Sequence, residues 1–428
     1  MSKIKTLLIF CFFFSFCFAE TITIDLKSQN KLDKLYLLVR DDAASFDHKN
    51  WEDQVRFDLN FSGYAEVMPH DFHAKGFDRP FWKTIGANYV ARITFREKSF
   101  FIELLNVKTG ALKAYPYCSL SGNDSDRDKI HGYVSDITYD LFGKKGIQES
   151  KILYSLRIPN HNKNGPEWLS EIWMCDFDGK NQVQMTHNNS YSICPRFLPN
   201  GEAYLYVSYS HGQPKIKKAY FDSKEEEMLV RLRGSQALPS TSSSNIAFIS
   251  DAAGRPDLFL FPLDETGKPV QLFSSPRATQ ASSTFSPDGR KIAFVSDKDG
   301  PPRIYILEIP RTNRRFKTPK TELITKKNRQ NTSPSWSPDG RKLAYSAKTN
   351  GIGQIWIYDF DSKQEWQLTF GAKNMENPCW AHDSHHLVFN SEDKFMSELY
   401  LMNIHQKAPI KISTGPGGKR FPVFSHRE

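Results

Sequence analysis

Apolar and polar positions alternate in the same phase, and nearly in the same words, at two places in the chain. Residues 282–294 read SSTFSPDGRKIAF and residues 333–345 read SPSWSPDGRKLAY. Alternation with period two marks strands, and Pro-Asp-Gly is turn chemistry, with Pro fixing φ and Gly accepting a positive φ. Each block therefore predicts strand, tight turn, strand. Anchored on the residue before the turn, the frame recurs at Phe197, Pro239, Phe285, Trp336, Trp380 and Phe424, at spacings of 42, 46, 51, 44 and 44 residues. At Pro239 the aromatic and the Asp-Gly are both lost. A further apolar strand follows, as in EIWMCDFDG (171–179), DLFLFPLD (257–264), RIYILEI (303–309), QIWIYDFD (354–361) and ELYLMNI (398–404). A shorter strand comes next: VQMT (183–186), ELIT (322–325), WQLT (366–369) and IKIS (410–413). Four short strands in roughly 40–50 residues is the period of a propeller blade.

Six anchors predict a six-bladed β-propeller over 151–428. Phe424 has no strands after it, whereas KILYSL (151–156) and EIWMCDFDG open the region without an inner strand before them. The strand 421–426 is therefore expected to complete the blade begun at 151. Such a latch removes the exposed edges of an open row of sheets. Asp288 and Asp339 read as turn residues, not as catalytic ones.

Residues 20–146 lack the repeat and predict a small α/β domain. KLYLLV (34–39), YAEVM (64–68) and ANYVARITF (87–95) read as strands, and FFIELLNV pairs with ALKAYPYCSL across KTG (108–110). A helix over 50–63 carries Trp51, Val55 and Leu59 four apart; RPFWKTIG (79–86) is a short helix. A third, from about Asp126, aligns Ile130, Val134, Ile137 and Leu141. Residues 143–150 link this domain to the ring.

The first residues predict export from the cytoplasm. Lys3 and Lys5 precede TLLIFCFFFSFCFA (6–19), a run short for a bilayer span and ending in a small residue, so residues 1–19 read as a signal peptide cleaved before Glu20. The remainder carries 55 Lys and Arg against 48 Asp and Glu, a net +7 that argues for neither nucleic acid nor membrane insertion. RTNRRFKTPK (311–320) reads as a solvated loop. Cys118, Cys175, Cys194 and Cys379 fit no zinc spacing, and their pairing stays open. Neither G-x-S-x-G, H-E-x-x-H nor a Walker sequence occurs. HDSHH (382–386) stands where a Ser-Pro-Asp-Gly turn would, so it reads as a surface turn before a metal site.

The Ser-Pro-Asp-Gly repeat by itself is shared by many exported propellers. Together with the signal segment, DLNFSGYAEVMP (58–69), GANYVARITF (86–95), LFGKKG (141–146) running into six blades, and the closing FP-x-FS, the chain resembles the TolB family of the bacterial Tol–Pal envelope system. The resemblance implies a periplasmic, monomeric adaptor without enzymatic activity, cofactor or metal, which supports envelope integrity and outer-membrane constriction in cell division. It implies a propeller that binds Pal, a peptidoglycan-associated outer-membrane lipoprotein. It also implies a mobile segment, here 20–30, that engages the inner-membrane-tethered TolA through Glu20, Ile22, Ile24 and Asp25. That alternation suits addition to a partner's sheet edge.

If the anchored strands are innermost, the residues four to six before each anchor enter the channel from one face. Thr279, Gln280, Gln330, Asn331, Asn374, Met375 and Glu376 are the expected Pal-binding residues there. The competing reading is a secreted propeller lyase or hydrolase acting on glycan in the channel, which requires acids, bases or a metal converging on the channel wall.

Overall fold

The structure, a computed structural model, describes residues 32–41, 48–69, 75–122, 125–160, 162, 165–310, 319–392 and 396–425. The signal segment and Glu20, Ile22, Ile24 and Asp25 lie outside the described residues, as does most of the basic stretch 311–320. Among the described residues no helix is long and apolar enough to cross a membrane.

The N-terminal layer is a sheet in the order 65–67, 33–41, 89–96, 99–106, 112–114, with 118–119 also pairing 99–106. Its first three strands are parallel and the rest antiparallel. The strand Asp33–Asp41 alternates between two cores. Leu35 and Leu37 face helices α1 (Lys49–Asn60) and α3 (Ser125–Phe142), meeting Val55, Leu59, Ile130, Val134 and Ile137. Tyr36 and Leu38 face the other way, onto Trp82 of the short helix α2 (Arg79–Thr84). Asp78 caps α2 by accepting from the Phe81 N–H.

The rest is a ring of six four-stranded sheets. Blade 1 combines the strands 151–159, 168–176 and 183–184 with the C-terminal strand 418–424, which takes the inner position. Blades 2 to 6 follow in order, with inner strands Ser192–Phe197, Gln236–Thr241, Gln280–Phe285, Asn331–Trp336 and Asn374–Trp380. The C-terminal strand is antiparallel to 151–159, and Ser425 N–H donates to the Lys151 carbonyl at 2.8 Å. Apolar side chains fill both faces of each sheet, so every core lies between neighbouring blades, as where Leu205 and Phe248 share one cluster.

The turns use their residues as turn chemistry requires. In blade 4, Ser286 Oγ donates to Asp288 Oδ1 at 2.6 Å and accepts from the Lys291 N–H at 2.9 Å, while Gly289 takes φ +65°. Ser337, Asp339, Lys342 and Gly340 repeat this in blade 5. Both aspartates are spent within their own turns.

One anchor moves. In blade 3 the residue opposite the start of the second strand is Thr241, not Pro239, since Thr241 pairs with Ile246 as Phe285 pairs with Ile292. Thr241 stands 44 residues from both Phe197 and Phe285. Pro239 instead belongs to a second repeated position, two before the anchor, shared with Pro195, Pro334, Pro378 and Pro422. The residue before each of these prolines has a positive φ: Cys194, Leu238, Ser333, Asn377 and Phe421. Every inner strand shifts register at this point. It is a β-bulge, and a residue without an N–H costs the ladder nothing there.

Candidate functional site

The bulge decides which side chains reach the ring axis. A cavity of about 520 Å³ opens along it, and each blade contributes its bulge residue: Cys194, Leu238, Ser282, Ser333, Asn377 and Phe421. Serines, threonines, prolines and the rings of Phe285, Trp336 and Trp380 make up most of the remaining wall. Among the described residues Arg196 is its one charged side chain, and no carboxylate or histidine lines it. The two thiols there, Cys194 and Cys379, are pushed up by burial, Cys194 to about 12. All four cysteines of the described chain are free.

Much of the lining is already engaged across blades. Ser333 N–H donates to Ser282 Oγ at 3.1 Å and Ser333 Oγ to Asn377 Oδ1 at 2.9 Å. Trp336 N–H donates to Thr284 Oγ1 and Trp380 N–H to Ser335 Oγ, both at 3.3 Å. These hydroxyls hold blade to blade.

The expected binding residues are not the channel wall, because the extra bulge residue inverts the alternation before it. Gln280, Asn331 and Met375 sit five before their anchors and turn sideways between blades, at 1 %, 0 % and 7 % exposure. Gln280 and Asn331 start their inner strands and Met375 is the second residue of its own, so none is an exposed loop residue. Thr279 and Gln330, one residue earlier, are exposed, while Asn374 and Glu376 are half-buried. Thr279 N–H donates to Asp297 Oδ1 at 2.6 Å, in the loop after a second strand, and Asn374 Oδ1 accepts from the Gly353 N–H at 2.7 Å, at the start of a third strand. Burial, with Glu392 nearby, raises the Glu376 carboxyl above its ordinary value.

The opposite face carries the N-terminal layer. Gly63 lies against Asp383 and His386 in the turn between the first two strands of blade 6, and Tyr64 meets His385 edge-on. Phe57 packs on Phe177. The HDSHH segment is therefore a docking point, with the side chains of Asp383 and His386 fully buried 2.6 Å apart. Burial raises the Asp383 carboxyl, but His386 outweighs it and holds the group well below the carboxylate range. His385 and His405 are drawn below the ordinary imidazole value by burial and neighbouring positive charge, His405 to about 4.

A buried ionic cluster completes this contact. His131 Nδ1 on α3 lies 2.8 Å from Asp58 Oδ2 on α1, and its Nε2 lies 3.8 Å from Asp176 Oδ2 on blade 1. Lys151 Nζ meets Asp176 at 2.6 Å and Asp128 at 3.3 Å, and Arg127 pairs with Asp178. Burial pulls His131 down, but Asp176 and Asp58 outweigh it and lift the group to about 9. Burial lifts Asp58 to about 6 against the pull of His131. His131, Asp176 and Asp178 could offer three ligand atoms to a metal. Lys151 and Arg127 already neutralise those carboxylates. Sequence reasoning missed this cluster. Its one signal was Asp58 and His131 standing next to core positions on two amphipathic helices.

Comparison with known proteins matches this architecture. A TolB beta propeller domain model matches residues 139–426. A TolB homolog of Protochlamydia amoebophila is 39 % identical over 406 residues, covering 87 % of this chain and 86 % of that protein. A Chlamydia pneumoniae TolB homolog is 39 % identical over 310 residues, 70 % of each chain. The crystal structure of TolB from Acinetobacter baumannii superposes with a TM-score of 0.73 at 18 % identity, covering 92 % of this chain and 97 % of that one. With a ring closed by its own C-terminus, an N-terminal α/β layer on one face and this kinship along nearly its whole length, the chain belongs to the TolB family.

Proposed function

We propose that this protein is a periplasmic adaptor of the Tol–Pal system that performs no chemistry itself. It holds a Pal-like, peptidoglycan-associated lipoprotein on the propeller face away from the N-terminal layer. It engages a TolA-like partner through residues 20–30, with Glu20, Ile22, Ile24 and Asp25 in the strand-forming role. Family membership supports the adaptor role. One observation supports the choice of face: the layer's contacts with the ring all fall at one end of the blades, at Asp383 and His386 between a first and a second strand, at Lys151 opening a second strand, and at Asp176 and Asp178 where a third strand ends. The face holding Thr279, Gln330, Asn374 and Glu376 is the other end of the same strands. Rigidly mounted loops suit recognition.

A glycan-cleaving propeller would need acids or bases on the channel wall. Arg196 among hydroxyls, prolines and indoles favours binding over bond cleavage. The test is calorimetric titration of the mature chain, 20–428, with the soluble domain of the same organism's Pal-like lipoprotein. A Thr279→Arg/Gln330→Arg variant alters only exposed positions. Saturable one-to-one binding that this variant weakens supports adaptor and face together. Binding that the variant leaves unchanged retains the adaptor and rejects the face; no binding rejects the adaptor.

A further inference from the structure

Two imidazoles away from that face stand side by side. His385 belongs to the turn between the first and second strands of blade 6, and His405 to the turn between its third and fourth. Nδ1 of His385 and Nε2 of His405 are 3.4 Å apart, with ring centroids at 5.5 Å and planes inclined by 48°. Both turns are held in place. Asp383 Oδ1 accepts from the His385 N–H and Asn403 Oδ1 from the His405 N–H, each at 2.9 Å. Tyr64 of the N-terminal layer stands edge-on to His385 with centroids 5.6 Å apart.

Two imidazole nitrogens bound to one tetrahedral ion at about 2.0–2.1 Å lie roughly 3.3–3.4 Å from each other. The pair already has that spacing on two rigid hairpins. Neutral imidazole is also the commonest protein ligand for late first-row metals. We propose that His385 and His405 form a two-imidazole site for a divalent cation of the zinc, nickel or copper class, with water completing the coordination. His405 is partly desolvated by its neighbours but still exposed to solvent, so a hydrated ion has a route in. Asp383, the carboxylate closest in sequence, is committed to His386 and adds no ligand. Lys342 and Lys144 add positive charge around the pair. Two protein ligands among lysines make an exchangeable site, not a structural one. Because Tyr64 rests on His385, an ion there would brace the contact between layer and ring.

The experiment is calorimetric titration of the untagged mature chain with Zn²⁺ and with Ni²⁺, wild type beside His405→Ala. A continuous-wave spectrum of the Cu²⁺-loaded protein reads nitrogen ligation directly. The wild type should show one site per chain that His405→Ala weakens by roughly tenfold or more, at least what losing a supporting outer-shell partner costs. Metal-free melting should be the same for both, since His405 is exposed, and the copper spectrum should lose one nitrogen. Identical isotherms for wild type and variant, or an unchanged copper spectrum, would overturn the site and leave the pair as a hydrogen bond between two hairpins.

Discussion

At the scale of single residues, the repeat supplies its own controls. Gln236 and Gln280 occupy the same position of neighbouring blades and are both buried. The Gln236 amide donates to the Val230 and Leu232 carbonyls at 3.1 and 3.0 Å. The Gln280 amide has no protein partner among the described residues. A buried amide costs free energy when unbonded and stabilises when bonded. Gln280→Met should therefore be neutral or stabilising by about 1 kcal/mol, and Gln236→Met destabilising by roughly 1–3 kcal/mol. Urea unfolding of the two variants checks this, and equal shifts would remove the distinction. His131 gives a pH-dependent counterpart. Its pKa is about 9 in the folded chain against an ordinary 6.5. Its stabilising share is fully present below 6.5 and fades as pH rises through 9. His131→Gln should cost on the order of 2–3 kcal/mol at pH 6 and far less at pH 9.5. A penalty of equal size at both pH values would mean that the imidazole contributes shape alone.

At the scale of elements, packing at turns decides which substitutions are tolerated. Gly179 turns blade 1 from its third to its fourth strand at φ +81°, and a Cβ there would lie 2.0 Å from the backbone carbonyl oxygen of Ile412 in blade 6. Backbone cannot swing aside as a side chain can. Gly179→Ala should thus cost more than the roughly 1–3 kcal/mol of a strained φ, whereas Gly201→Ala, at φ +72° with open space around it, should cost only that strain. Thermal melts of both variants distinguish the two terms. Elements whose local chemistry repeats were legible in the sequence: Ser-Pro-Asp-Gly set the frame of blades 4 and 5, and α1 and α3 showed their apolar stripes. Where the turn chemistry was missing the frame slipped by two residues, as at Pro239. The third strand of blade 2, Lys215–Tyr220, was overlooked because KIKKAY buries a lysine, Lys217, against Glu226. The bulge was written as prolines, but its effect on side-chain direction depends on a register that only strand pairing reveals. For that reason Gln280, Asn331 and Met375 were expected at the surface.

At the scale of the whole molecule, ring and layer share one closure. Lys151 opens the second strand of blade 1, exchanges hydrogen bonds with Ser425 at the end of the C-terminal strand, and sends its ammonium to Asp176 and Asp128. Asp176 in turn meets His131 and, through it, Asp58. The strand that latches the ring therefore ends on the ion network that seats the N-terminal layer, across more than 270 residues of sequence. Deleting 420–428 removes Val423 and Phe424, both buried in blade 1, along with the Ser425 bonds. It leaves the strand at 151–159 as an open edge, which favours non-native pairing. If closure is shared, the loss spreads beyond blade 1. Cys175 reports on blade 1 and Cys194 on the neighbouring blade, and both are buried and unreactive in the closed ring. The deletion should expose both thiols to a neutral alkylating reagent, lower the melting point and weaken seating of the layer, read as faster proteolysis within 32–146. Alkylation confined to Cys175, with an unchanged melting point, would instead mean that the C-terminal strand frays alone and that each blade stands on its own neighbours.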